Sequence, residues 1–352
     1  MEEKNIRSSN IELFRIITML VIIAHHYVVN SGIADILFSS SSMDVKNIFY
    51  LIFGCGGKTG INCFVLITGY FMCKSKITLR KFLKLFCEAE FYSFVIFMIF
   101  WITGYEPFSI KMFIKNMIPF FDVSTGFMAC FLLFYLLIPF LNILLKHMKK
   151  REHEMLLALC LFIYTFLPSL AKAYVVFNYI TWFVVLYILI SYIRYYPKVI
   201  YQNTKVWGIL TIVTIVLSWI SIVVCRYVGI DPYFFVADSN KILALVTALC
   251  AFMFFKNVKI GYNRLINKIA ASVFGVFMIH TNSDTMRRWL WYSTFKNGNM
   301  YFTKYYVLHA VISVILIYIV CTIIDVIRIK MLEKPFLHFI DKKLDAREVD
   351  RK

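Results

Sequence analysis

The chain of 352 residues is 61% hydrophobic, has only 16% charged residues and has a mean hydropathy of +0.73. This composition excludes a soluble globular domain, in which about a quarter of the residues are charged, and indicates a polytopic membrane protein. The net charge of +18 does not indicate a nucleic-acid partner, because the positive residues lie in short clusters between apolar segments, as topology signals do.

Ten apolar segments are long enough, or nearly so, to cross about 30 Å of hydrocarbon. They are residues 10–29, 48–72, 82–103, 127–145, 154–171, 178–195, 206–227, 241–255, 269–283 and 305–329. Glycines interrupt the second segment, which predicts a kinked or re-entrant helix, and the ninth is short. We predict an all-α, polytopic transmembrane bundle, with one domain over residues 1–330 and a charged cytoplasmic tail over 331–352.

The distribution of positive charge predicts the orientation of this bundle. With the N-terminus in the cytoplasm, 26 of the 38 Lys and Arg residues flank cytoplasmic ends of the segments, and 11 flank outer ends. Because cytoplasmic loops carry an excess of Lys and Arg, both termini are expected on the cytoplasmic side.

The first segment, "NIELFRIITMLVIIAHHYVVNSG" (10–32), carries ionisable residues within a membrane helix. At 100° per residue, Arg15 and His26 share one face about 16 Å apart, whereas His25 points about 80° away. Glu12 lies three residues before Arg15, a spacing that permits an ion pair. Such groups are costly in hydrocarbon, so this stripe is expected to face the bundle interior. It either lines a passage with a task at each end or locks helix packing.

The first two of four motifs lie in the first and second segments. Arg15 and His26, separated by ten residues, are similar to the first-helix motif of the membrane-bound acyltransferase family 3. The segment "GINCFVLITGYFM" (60–72) resembles that family's FFxxSG signature, although Val65 stands where its second aromatic residue is usual.

Two later motifs extend the resemblance over nearly the whole chain. They are "FLLFYLLIPFLN" (131–142) and "FGVFMIHTN" (274–282), which resemble the family's middle and late helices. The resemblance implies a bacterial cytoplasmic-membrane enzyme that moves an acetyl or other acyl group from cytoplasmic acetyl-CoA. The acceptor would be a hydroxyl of a cell-surface polysaccharide or of its lipid-linked sugar precursor. No metal is expected, because no His/Cys spacing typical of zinc appears.

Acyl transfer to a hydroxyl needs a base, a bound donor and stabilisation of the oxyanion. Histidine suits the first task, so His26 is the predicted base, with Arg15 as the second catalytic residue. Arg15 and the basic loop "KSKITLRKFLK" (74–84), above all Arg80 and Lys81, are expected to bind the phosphates of CoA. The loop could instead be a topology signal that binds anionic lipid.

The expected acceptor site combines residues from two segments. Thr68 and Tyr70, with Asn62 or backbone N–H groups near the glycines, are candidates for oxyanion and acceptor contacts. His280 and Asn282 form a second polar cluster, predicted to bind the acceptor at the depth of the base.

Three other functions fit the composition. One is a transporter or flippase of lipid-linked sugars that performs no acyl transfer. Another is an acyltransferase whose acceptor lies in the cytoplasm, and the third is a polymerase or ligase of surface glycans. A transporter would have no need of acetyl-CoA, so binding of CoA discriminates between the first of these and the predicted enzyme.

Overall fold

The structure, a computed structural model, describes residues 8–39, 42–118, 126–170, 173 and 175–349, with side chains as far as residue 342. This described part is helical and contains no strand. Its α-helices are, in chain order, α1 (Ser9–Val29), α2 (Gly32–Ser39), α3 (Val45–Gly54), α4 (Gly57–Met72), α5 (Leu79–Ile102), α6 (Ile110–Met117), α7 (Phe127–His147), α8 (Lys150–Leu161), α9 (Leu167–Leu170), α10 (Tyr179–Tyr195), α11 (Thr204–Tyr227), α12 (Ile242–Asn257), α13 (Arg264–Ala270), α14 (Val273–His280), α15 (Asp284–Arg288), α16 (Asn297–Tyr301), α17 (Tyr306–Arg328) and α18 (Lys334–Val349).

Seven helical segments within the described residues are long and apolar enough to cross a membrane. They are Ser9–Val29, Val45–Met72, Leu79–Ile102, Phe127–His147, Lys150–Leu170, Thr204–Tyr227 and Tyr306–Lys342. Two further predicted segments fall on the shorter apolar helices α10 and α12, and the ninth falls on the broken pair α13 and α14. The predicted all-α polytopic bundle is confirmed, and the side of the membrane on which each end lies stays a prediction.

Contacts between helix ends sort the bundle into two levels. The start of α1 meets the end of α12, where Asn10 Nδ2 donates to the carbonyl of Phe255 at 2.8 Å. The end of α1 meets the start of α17, where the Tyr27 hydroxyl and His309 Nδ1 are 2.7 Å apart. We call the first level the basic end and the second the histidine end.

Helix α1 is central to the bundle and packs against α3, α4, α12, α13, α14 and α17. Glycines allow α4 to approach it closely. A Cβ atom at Gly60 would lie 2.6 Å from Ile22 Cγ1, and one at Gly57 would overlap the ring of His25. At the predicted interruption between α3 and α4, His25 Nδ1 donates to the carbonyl of Gly54 at 2.5 Å. The glycines therefore serve close packing against α1.

A buried ionic network ties α5 to α17 at the basic end. The Arg328 guanidinium lies 2.8 Å from carboxylate oxygens of Glu88 and Asp325 and 2.9 Å from Glu333. Lys84 pairs with Glu333 at 2.7 Å. The side chain of Arg328 is only 6% exposed, so the attraction between these charges must offset a large desolvation cost. Three carboxylates thus share the buried Arg328 and the partly exposed Lys84.

The predicted tail over residues 331–352 begins in a continuous helix that reaches from α17 into α18. In this helix, the carboxylate of Asp341 accepts two hydrogen bonds from the Arg80 guanidinium, at 2.6 and 3.1 Å. This contact holds α18 against the start of α5. The last three residues of the predicted tail lie outside the described residues, and the cytoplasmic location of the tail stays a prediction.

Candidate active site

Two histidines from distant parts of the chain meet at the histidine end. His26 Nδ1 of α1 lies 3.1 Å from His280 Nε2 of α14, and their ring centroids are 5.2 Å apart. His280 is completely buried, and its Nδ1 lies 2.6 Å from the carbonyl oxygen of Val276 one turn earlier. His26 is half-buried. The sequence predicted only that His26 and His280 lie at the same depth; in the structure their side chains are in direct contact.

A cavity of about 350 Å³ runs beside the ionisable face of α1. Arg15 and Ile22 of α1 line it, and these residues lie on the same face as His26. Helix α4 lines the cavity from Ile61 to Met72, a distance of about 16 Å along its axis. The cavity is thus about as long as the axial separation between Arg15 and His26.

Positive side chains surround the cavity at the basic end. Arg15, Lys81 and Lys84 all line it there. The Arg15 side chain is 30% exposed and lies 3.7 Å from Glu12, which confirms the predicted ion pair. The Lys84 side chain is 38% exposed, so the cavity opens to the surface at this end. The three cations suit a ligand with phosphate groups.

Aromatic rings line the cavity at the histidine end. Phe127 of α7 and Phe277 of α14 both line it, and their ring centroids are 5.0 Å apart in an edge-to-face arrangement. The ring of Phe277 also lies 6.0 Å from that of His280. Ile22 reaches the same level, about 6 Å below His26 along α1. These apolar groups lie between the cavity and the histidine pair.

Two predicted acceptor contacts lie away from His26. Thr68 lines the cavity nearer its basic end, and its hydroxyl donates to the carbonyl of Phe64 at 2.9 Å. Tyr70 is not among the lining residues, and its hydroxyl accepts a hydrogen bond from Arg194 at 2.5 Å. Helix α4 runs from the histidine end to the basic end, so residues late in α4 cannot adjoin His26. Thr68 and Tyr70 thus lie away from His26, and their role as acceptor contacts stays a prediction.

Other predicted residues are also dispersed. Lys81 lines the cavity, whereas its neighbour Arg80 points to Asp341 and does not. Asn282 Nδ2 donates to the carbonyl of Met278 at 3.3 Å. The cavity therefore brings Arg15 together with Lys81, but Arg80 and Asn282 are engaged elsewhere.

Asn62, the remaining candidate for the oxyanion, is completely buried and fully engaged. Its amide donates to the carbonyl of Ser239 at 2.7 Å, and its carbonyl accepts from the indole of Trp182 at 2.8 Å. This side chain joins α4 to α10 and to the segment before α12, which is a structural task.

Sequence reasoning placed Lys84 within the basic loop 74–84 without singling it out, and it missed Phe127 and Phe277. Lys84 lies three residues after Lys81 on the same face of α5, so helical spacing would have been a sufficient signal. The two phenylalanines gave no signal, because the chain contains 35 of them.

Two more cations lie near the histidine pair. Lys58 follows Gly57, which packs against the ring of His25, and Arg287 lies in α15, shortly after His280. Lys58 Nζ donates to the hydroxyl of Tyr179 at 2.8 Å, and Arg287 pairs with Asp284 at 2.7 Å. Positive charge close to an imidazole favours an oxyanion formed beside it. No group of three potential metal ligands occurs among the residues that the structure describes.

Comparison with known proteins gives one match. A family model described as an acyltransferase domain, that of acyltransferase family 3, matches residues 8–326. The matched range contains every residue of the histidine pair and of the cavity. Comparisons with curated proteins and with solved structures give no match.

Proposed function

The chain belongs to acyltransferase family 3, and from this membership we propose that it acetylates a glycan hydroxyl with acetyl-CoA as donor. The protein is a membrane acyltransferase. The proposed acceptor is a bacterial cell-surface polysaccharide or its lipid-linked sugar precursor. The observation that carries the proposal is the cavity that follows α1 from Arg15 to Ile22, one turn before His26.

The two ends of this cavity suit the two parts of acetyl-CoA. Arg15, Lys81 and Lys84 would bind its phosphates by charge-assisted hydrogen bonds at the basic end. The apolar middle of the cavity suits the thin pantetheine arm. An arm extended from the basic end would carry the acetyl thioester to Phe277, next to the histidine pair.

His26 would act as the general base. As the acceptor oxygen attacks the thioester carbonyl carbon, His26 takes the hydroxyl proton. The new C–O bond gives a tetrahedral oxyanion, which the positive charges of Lys58 and Arg287 would favour. The C–S bond then breaks, and the departing thiolate of CoA receives the proton from His26. The products are the acetyl ester and CoA, and His26 returns to its neutral form.

The orientation predicted from Lys and Arg supports this division of tasks. It places the basic end in the cytoplasm, where acetyl-CoA is made, and the histidine end at the outer face, where glycans are assembled. The proposed location is accordingly the cytoplasmic membrane of a bacterium.

The test measures acetyl transfer by the purified protein in lipid nanodiscs. His26→Ala is expected to lower the transfer rate by roughly 10²- to 10⁴-fold, the usual contribution of a general base. Binding of acetyl-CoA should be unchanged in that variant and weakened in Arg15→Ala. The matched control is His25→Ala, which removes a neighbouring imidazole bonded to Gly54 and should transfer at a nearly normal rate. Transfer by His26→Ala at the wild-type rate would refute the proposal.

Two further measurements separate this enzyme from a flippase of lipid-linked sugars. Ligand at 100 times its Kd stabilises a protein by about 2.7 kcal/mol, so CoA should raise the unfolding temperature of an acetyl-CoA enzyme. A flippase would show no such effect. Loss of acetyl esters from the surface glycan of the host, when the gene is removed, would identify the acceptor.

A further inference from the structure

The contact between the two histidines has a direction. We propose that His280 is a positioning residue that holds the hydrogen of neutral His26 on Nδ1 and leaves the lone pair of its Nε2 free. This inference deepens the proposed function and rests on it, since it concerns the base of that reaction. It also replaces the predicted role of His280 in binding the acceptor.

The direction follows from the carbonyl group at the buried end. The oxygen of Val276 can only accept a hydrogen bond, so His280 Nδ1, 2.6 Å away, carries a hydrogen. His280 is fully buried, where a charged imidazolium would be costly, so it is neutral and has one N–H group. Its Nε2 is therefore an acceptor. His26 Nδ1 lies 3.1 Å from this nitrogen and must therefore donate to it. Of the four ring nitrogens in the pair, the one that takes no part in these hydrogen bonds is His26 Nε2, which carries a lone pair and no hydrogen.

A base needs this arrangement. Neutral histidine can carry its hydrogen on either nitrogen, and the form with hydrogen on Nε2 has no lone pair there to receive a proton. The acceptor on the far side of the ring selects the useful form, as the buried partner does in hydrolase triads. After His26 has taken the substrate proton, its Nδ1–H still donates to His280. The charged intermediate thus keeps the same hydrogen bond.

Burial separates this task from acceptor binding. His280 has no exposed surface, and both of its ring nitrogens are already engaged. It therefore has no group with which to hold a sugar hydroxyl. His26 is half-buried and has one nitrogen available.

The kinetic test compares His280→Ala with His280→Gln. Alanine removes the acceptor, so kcat should fall by roughly 10²-fold, with KM for the glycan and binding of acetyl-CoA unchanged. Retained acetyl-CoA binding also verifies that the variant is folded. The glutamine side-chain oxygen can accept from His26 Nδ1 and should restore much of kcat. A higher KM with unchanged kcat in His280→Ala would instead mean acceptor binding and would overturn the inference.

The second readout needs no substrate. In protein with ¹⁵N-labelled histidine, the signals of His26 are identified by their loss in His26→Ala, and their shifts report which nitrogen is protonated. Hydrogen on Nδ1 in the wild type, with a gain of Nε2–H in His280→Ala, is expected. Hydrogen on Nε2 in the wild type would overturn the inference. Full activity of His26→Ala would refute the proposed function, whereas the spectrum decides the tautomer independently.

Discussion

Gly60→Ala should displace α1 from α4 and thereby disturb the site. The added Cβ would lie 2.6 Å from Ile22 Cγ1 and 3.0 Å from its Cδ1. Since carbon atoms pack at about 3.5–4.0 Å and the buried Ile22 has little room to move, we expect the helices to separate by about 1 Å. Overpacking of this kind costs about 1–3 kcal/mol, of which the better helix propensity of alanine returns up to about 1 kcal/mol. A displacement of about 1 Å at a site can lower the rate 10²-fold, and Ile22 is one turn from His26.

The assay combines the initial rate of acetyl transfer with the thermal unfolding of the protein in nanodiscs. Gly261→Ala is the matched control, because nothing lies within 4 Å of a Cβ atom at that position, and it should change neither quantity. Ile22→Ala removes the two atoms that would clash with the new methyl group and leaves the Thr18 carbonyl oxygen at an ordinary 3.5 Å. In that background Gly60→Ala should therefore cause little further loss. Wild-type activity of Gly60→Ala, or an equal loss in both backgrounds, would refute the reasoning.

Three further predictions concern the cavity and the ionic network. Phe277→Ala should raise the hydrolysis of acetyl-CoA in the absence of acceptor, measured as thiol release, because loss of the ring opens the cavity towards the histidine end. Unchanged thiol release would mean that the Phe277 ring does not separate the cavity from the histidine pair. Arg328→Met should lower the free energy of unfolding by about 3–5 kcal/mol, since it leaves buried carboxylates without their partner. Glu88→Gln should cost less, and equal losses would argue against a shared cation. Lys81→Ala should raise KM for acetyl-CoA several-fold, and Arg80→Ala should not; equal effects would mean that lining the cavity is irrelevant.

The sequence contained enough information for the helices and for one functional face. Hydropathy identifies segments because each must satisfy its backbone within the bilayer. Helical periodicity then placed Arg15 and His26 on one face, and the cavity follows that face. The Glu12–Arg15 pair was predictable for the same reason, because its spacing is local.

Contacts between helices that are distant in the sequence were harder to predict. Periodicity gives the face that a residue occupies but not the helix that it meets, so the contact of His26 with His280 could be expected only as a common depth. The position of Tyr70 was predictable in principle, because α4 runs from the histidine end to the basic end. Arg328 and its buried carboxylates gave no comparable signal, since Arg328 lies at the end of an apolar segment, where arginine also serves as a topology signal.

The central place of α1 has a consequence for biosynthesis. This helix leaves the ribosome long before its partners α13, α14 and α17, and His26 contacts a residue that lies 254 positions later in the chain. Folding that depends on contacts between such distant residues cannot be completed while the chain is still growing. A nascent chain that ends before α14 holds the imidazole without its orienting partner and without Phe277 at the end of the cavity. The candidate site is therefore incomplete until α14 has been made and has packed against α1.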